Sequence, residues 1–154
     1  MPRYAADTSV SSDKSQQEIQ RTLRRYGADQ FVYGWTDNSA MIGFALAGRQ
    51  VRIWVPMPSR SEFAKTPTGR PRTANATDEA HEQAIRQRWR ALALVVKAKL
   101  EAVDTGITTF DEEFLAHIVM PNGRTVADEV IPKMTAALAG ESVPALMPAP
   151  GEKP

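Results

Sequence analysis

Cysteine is missing altogether from this chain. That single absence excludes disulfide scaffolds, thiol nucleophiles and cysteine-ligated zinc or iron–sulfur centres. Long apolar runs are missing too. No stretch approaches the ~20 consecutive apolar residues that a membrane span needs. The opening segment MPRYAADTSVSSDK has no apolar core of signal-peptide length. The expectation is a cytoplasmic protein without membrane contact. An excess of either charge is lacking as well: 19 Lys and Arg stand against 18 Asp and Glu, for a net charge of +1. Global charge therefore gives no argument for a nucleic-acid partner, and only its distribution along the chain does. Catalytic signatures are equally scarce. There is no GxSxG, and Thr68-Gly69-Arg70 lacks the GKS/T ending of a phosphate-binding loop. The reading leans away from an enzyme and calls for no cofactor and no metal.

What is present is enough for one folded domain. At 154 residues a chain buries roughly 70% of the surface it exposes when unfolded, so neither a disulfide nor a metal is needed for stability. Residues 1–10 read as a flexible arm, 11–140 as a single domain, and 141–154 as a flexible tail. That tail has four prolines from Val143 onward. Ser11, Ser12, Asp13 and Ser15 offer helix N-caps, and Ser15 with Glu18 has capping-box spacing. Ile19, Leu23 and Tyr26 follow on one helical face, and Gly27 is a natural stop. Three strands come next: Gln30–Trp35, Ala40–Leu46 and Arg49–Met57. The short connections Asp37-Asn38-Ser39 and Ala47-Gly48 require antiparallel neighbours, because a parallel crossover needs a dozen or more residues. Val51, Ile53 and Val55 point to the core with Arg49 on their side; Arg52 and Trp54 lie on the other. From Pro58 to Ala76 the pattern dissolves into a loop broken by prolines.

Thr77 is the expected cap of the longest element, a helix from about Asp78 to Val103. Its apolar stripe is Ile85, Trp89, Leu92, Val96, Leu100 and Val103. This helix is expected to cover the sheet. Thr109 and Glu112 suggest another capping box, before a short helix with Phe110, Phe114, Leu115 and Ile118 on its apolar face. Pro121-Asn122-Gly123 joins Ile118–Met120 to Arg124–Val126 as a small hairpin. A last helix, opened by Thr125 and Asp128, is expected to pack Val126, Val130, Ile131 and Met134. The fold class is α+β: an N-terminal helix, a three-stranded antiparallel meander, a long covering helix and a small helical C-terminal part.

One stretch breaks the charge balance. Arg49, Arg52, Arg60, Lys65, Arg70 and Arg72 face a single acid, Glu62, for a local balance of +5. Nucleic acid needs cations that track phosphates and planar side chains on which bases stack. These six residues and Trp54 are the candidate contacts: Arg49, Arg52 and Trp54 on the third strand, and Arg60, Lys65, Arg70 and Arg72 in an adjoining loop expected to order on binding. The bland alternative is a solvated loop, with Phe31, Tyr33 and Trp35 packed beneath the helix. Arg86, Arg88 and Arg90 either extend the patch or form the wet face of the long helix. Glu113 and His117 have the i, i+4 spacing of a metal or proton-transfer pair, but without the second histidine of HExxH the ordinary reading is an exposed ion pair. Asp7, Asp13, Asp29, Asp37 and Glu18 have no spacing that would make them a nuclease cluster.

Three segments together resemble a group of small proteins encoded by bacteriophages and prophages. The first is Thr8-Ser9-Val10, Lys14-Ser15, Glu18-Ile19 and Arg25-Tyr26-Gly27-Ala28. The second is Gln87–Leu92, Lys97–Val103 and Gly106–Phe110. The third is Phe114–Val119 with Gly123–Val126. The resemblance covers roughly residues 8–147 and implies a phage context, a host cytoplasm and no catalytic residues. The order strand–strand–strand–long helix is also similar to the core of Rad52-like single-strand annealing proteins, which form rings that bind DNA. The resulting expectation is a non-enzymatic nucleic-acid-binding phage or prophage protein, acting on single-stranded DNA. The alternative is a protein-interaction module aimed at a host or phage protein. Homo-oligomers are compatible with either, since exposed meander edges invite pairing between chains.

Overall fold

The computed structural model describes residues 8–142 and Leu146. The expected arm and tail thus lie almost wholly outside the described residues. Helix α1 spans Ser12–Arg25 and is capped by Ser11, whose Oγ accepts from the Lys14 N–H at 3.2 Å. Strands β1 (Gln30–Trp35), β2 (Ser39–Leu46) and β3 (Arg49–Pro56) form an antiparallel meander in that order. Ala47 at φ 53° and Gly48 at φ 71° make the β2–β3 turn. Two left-handed residues in a two-residue loop match the right-handed twist of the strands, and glycine takes the second position without a Cβ clash.

The register settles which side chains share a face. Phe31 opposes Phe44, which opposes Val51, and Tyr33 opposes Ile42, which opposes Ile53. These rows form the buried face, with Ala40, Ile42, Phe44, Val51 and Ile53 all under 7% exposed. The opposite face carries the rows Val32–Gly43–Arg52 and Gly34–Met41–Trp54.

Helix α2 (Ala74–Asp104) covers the buried face, together with α1. It begins one turn earlier than expected. Thr73 is the cap, accepting from the Ala76 N–H at 3.1 Å, while Thr77 is buried inside the helix with its hydroxyl donating to Thr73 O at 2.9 Å. A Thr in the first turn can cap or bond backwards, and the capping spacing of Thr73 decides the start. The two helices run parallel. Gln83 on α2 donates to Thr8 O just before α1, Glu18 pairs with Arg90, and the Tyr26 hydroxyl bonds Glu101.

The C-terminal part closes one sheet edge. Helix α3 (Phe110–Phe114) has the expected Thr109–Glu112 capping box, whose donors hold the Glu112 carboxyl below its ordinary range. Phe114 is fully buried against the rings of Phe110 and Phe44, 4.7 and 5.7 Å away. The 118–126 hairpin forms around Gly123, and Val119 N–H donates to Gln50 O at 2.8 Å, so the hairpin pairs with β3. Helix α4 (Val126–Gly140) follows the hairpin. The expected packing of Val130, Ile131 and Met134 does not occur: they are 48%, 51% and 49% exposed, and only Val126 packs on the core. Helical spacing marks a stripe but not whether anything covers it.

Candidate nucleic-acid interface

The expected structureless loop between β3 and α2 is a folded piece. A 3-10 turn spans Arg60–Phe63, and Lys65 bridges Pro71 around a turn closed by the Gly69 N–H to Thr66 O bond at 2.9 Å. Its prolines fall where no donor is needed, so they shape the turn rather than prevent it.

This folding consumes much of the local positive charge. Arg49 faces the core side of the sheet and binds both Asp111 oxygens at 3.0 Å. Arg60 Nε donates to Asp78 at 2.5 Å. Arg72 Nη1 donates to the carbonyls of Phe63 and Lys65 at 3.1 and 3.0 Å, holding the hairpin shut. Arg52 Nη2 donates to Gly123 O at 2.7 Å and lies near enough to Asp128 to help hold that carboxyl low, behind the larger effect of the Thr125 backbone donor. The side chains of Lys65 and Arg70 are exposed and have no hydrogen-bond or ion-pair partner among the described residues, although the backbones of both are bonded within the turn. On α2, Arg86 bonds Gln83 and Arg90 pairs with Glu18, which leaves Arg88 as the member of that cluster without such a partner.

The open sheet face is what parity foretold for Arg52 and Trp54, but its floor was not foreseen. Trp54 is 55% exposed and Val32 58%. Between them the floor is made of Gly34, Met41, Gly43 and Ala45. A Cβ on Gly43 would stand 3.1 Å from Val32 Cγ2, so the bare backbone lets Val32 lean across the strand. A shallow hollow of about 220 Å³ lies over this floor, bounded by Val32, Arg52 and Val119. Small residues flanked by an indole and a guanidinium make a flat, partly apolar surface with a cation at its rim. The alternating pattern on β2 was the signal that could have revealed it, since Met41, Gly43 and Ala45 all have the parity opposite to the core.

Glu113 and His117 do not form a pair. The α-helix ends at Phe114, and Lys99 binds the Glu113 carboxylate at 3.1 Å. Burial, with the Lys99 charge as a lesser cause, pushes the His117 pKa down. Among the described residues no group of three His, Asp or Glu side chains converges to hold a metal ion, and no helix is long and apolar enough to cross a membrane. Compared with known proteins, the chain matches no family model, no curated sequence and no solved structure.

Proposed function

We propose that the protein is a non-enzymatic single-stranded nucleic-acid-binding protein, of phage or prophage origin and acting in the host cytoplasm. One observation carries this reading: Trp54 stands half-exposed on an uncovered sheet face, two residues from Arg52 and beside a floor of small side chains. Every base has a π-face, so an exposed indole on a flat platform stacks bases with little sequence preference, and a neighbouring cation meets the phosphates. Lys65 and Arg70 follow the C-terminal end of β3 and supply further charge. Arg49, Arg60 and Arg72 act in this reading as struts of the fold.

The test is fluorescence anisotropy of a labelled oligothymidylate across a salt series. Trp54→Ala is expected to weaken binding about tenfold, in line with stacking worth roughly 1–3 kcal/mol per base, without altering the salt slope. Absence of binding by the wild-type protein at low salt refutes the reading. A second reading, a protein-interaction module, is favoured by α4, whose Val130, Ile131, Met134 and Leu138 are all about half exposed. It expects no salt-dependent oligonucleotide binding.

A further inference from the structure

The free edge of β1, opposite the edge that the 118–126 hairpin closes, has the features of a second binding site. Thr36 N–H donates to Ser39 O at 2.7 Å. Inter-strand bonds alternate along an antiparallel pair, so Gly34, Val32 and Gln30 turn their backbone groups toward β2. Phe31, Tyr33 and Trp35 turn theirs outward, where no strand or bridge meets them among the described residues. The strand Gln30–Trp35 contains no charge and no proline, which are the usual means of blunting an edge.

A trough runs along this edge between β1 and α1. Three hollows of about 420, 220 and 250 Å³ succeed one another, the first and second sharing Gln20 and the second and third sharing Asp13, Gln16 and Tyr33. The last is lined by aromatic rings. Tyr33 stacks on Trp35 with planes 20° apart and meets Trp89 edge-on at 6.2 Å. Trp35 is 71% exposed. The charged groups lining it are two carboxylates, Asp13 and Asp37, with no basic side chain. Gln16, only 9% exposed, lines the same hollow, and its side-chain amide has no hydrogen-bond partner among the described residues. The amide is still reached by solvent, so its donor and acceptor are open to the polar groups of a ligand in the hollow.

We propose that β1 binds an extended segment of a partner protein as an added antiparallel strand, with an arginine or lysine of that segment seated among Tyr33, Trp35, Asp13 and Asp37. Strand addition supplies main-chain bonds to Phe31, Tyr33 and Trp35, and the pocket for alternate side chains supplies selectivity. A residue paired opposite Tyr33 or Trp35 projects to the same face of the sheet, with its Cβ about 5 Å away. Its cationic head therefore meets the aromatic faces and the carboxylates together. A second copy of β1 does not meet this requirement, because it brings no basic side chain. This site lies at the α1 side of the sheet edge and is independent of the Trp54 face.

The test uses the ¹⁵N-labelled full chain titrated with a capped pentapeptide, threonine-valine-arginine-valine-threonine, and followed by NMR. The expected result is saturable shifts and slowed hydrogen exchange at the Phe31, Tyr33 and Trp35 amides, with a shift of the Gln16 side-chain amide. Replacing the peptide's arginine by citrulline, or the protein's Asp37→Asn, is expected to weaken binding about tenfold, and Trp35→Ala about fivefold. N-methylation of the peptide backbone is expected to abolish the exchange protection. Both substituted residues are exposed, so the dispersion of the variant spectra verifies folding. Equal affinity for the citrulline peptide overturns the proposal. So do shifts confined to other residues, concentration-dependent shifts at these amides without peptide, which assign the edge to self-association, and oligonucleotide rather than peptide binding there. None of these outcomes bears on Trp54 and Arg52, so failure here and failure of the nucleic-acid reading are separately visible.

Discussion

The folded loop divides the basic residues into those already bonded and those free, and that division is measurable. Lys65→Ala with Arg70→Ala removes two exposed side-chain cations that have no ion-pair partner among the described residues. On a single strand each phosphate contact contributes about 0.7 to the slope of log affinity against log salt. Losing both is expected to flatten that slope by about 1.4. Between 50 and 200 mM salt the double variant should then lose about sevenfold less affinity than the wild type does, by the same relation. Arg72→Ala is expected to behave differently. Its guanidinium is committed to the Phe63 and Lys65 carbonyls at 3.1 and 3.0 Å. Two charge-assisted bonds at a partly exposed site are worth about 1–2 kcal/mol together, so this variant should lower Tm by roughly 3–8 °C with the slope unchanged. Anisotropy across a salt series reads the first quantity and thermal denaturation the second. An unchanged slope in the Lys65/Arg70 double variant would refute the assignment of these cations to phosphate contact.

Three further outcomes follow from the packing. Ser15 is fully buried with its Oγ lacking a partner among the described residues, so Ser15→Ala should raise stability by about 1 kcal/mol by chemical denaturation; a loss of that size would show that the hydroxyl is satisfied. Phe114→Ala removes a ring with no exposure, packed on Phe44 and Phe110, and should cost about 3–5 kcal/mol; a cost below about 1 kcal/mol would mean that the α3 contact is not part of the core. His117 has a lowered pKa because burial disfavours its charged form. The unfolded chain therefore binds its proton more readily. The resulting stability is complete above the unfolded pKa near 6.5 and declines as pH falls through the folded pKa. Tm should drop on acidification from pH 7 to 5, less steeply in His117→Gln, and an NMR titration giving a His117 pKa at or above 6.5 would contradict this.

Local pattern alone carried the meander, the turn at Ala47-Gly48, the capping box at Thr109, the Gly123 hairpin and the apolar stripe of α2. Each depends on contacts within a few residues or on a period of two or 3.6, and such signals survive in a linear string. The same alternation placed Arg52 and Trp54 away from the core. Tertiary structure alone decided the state of the charges. Arg49 meets Asp111 across 62 positions and Arg52 meets Gly123 across 71, and no local rule anticipates pairings at that separation. It also decided that the stripe of α4 would remain uncovered among the described residues, because amphipathicity states what a helix offers and only the packed chain states what receives it. The trough beside β1 arises for the same reason: α1 lies along an edge that the sequence marks only as a strand, and the parallel course of α1 and α2 brings Gln16 and Trp89 to the aromatic face of Tyr33.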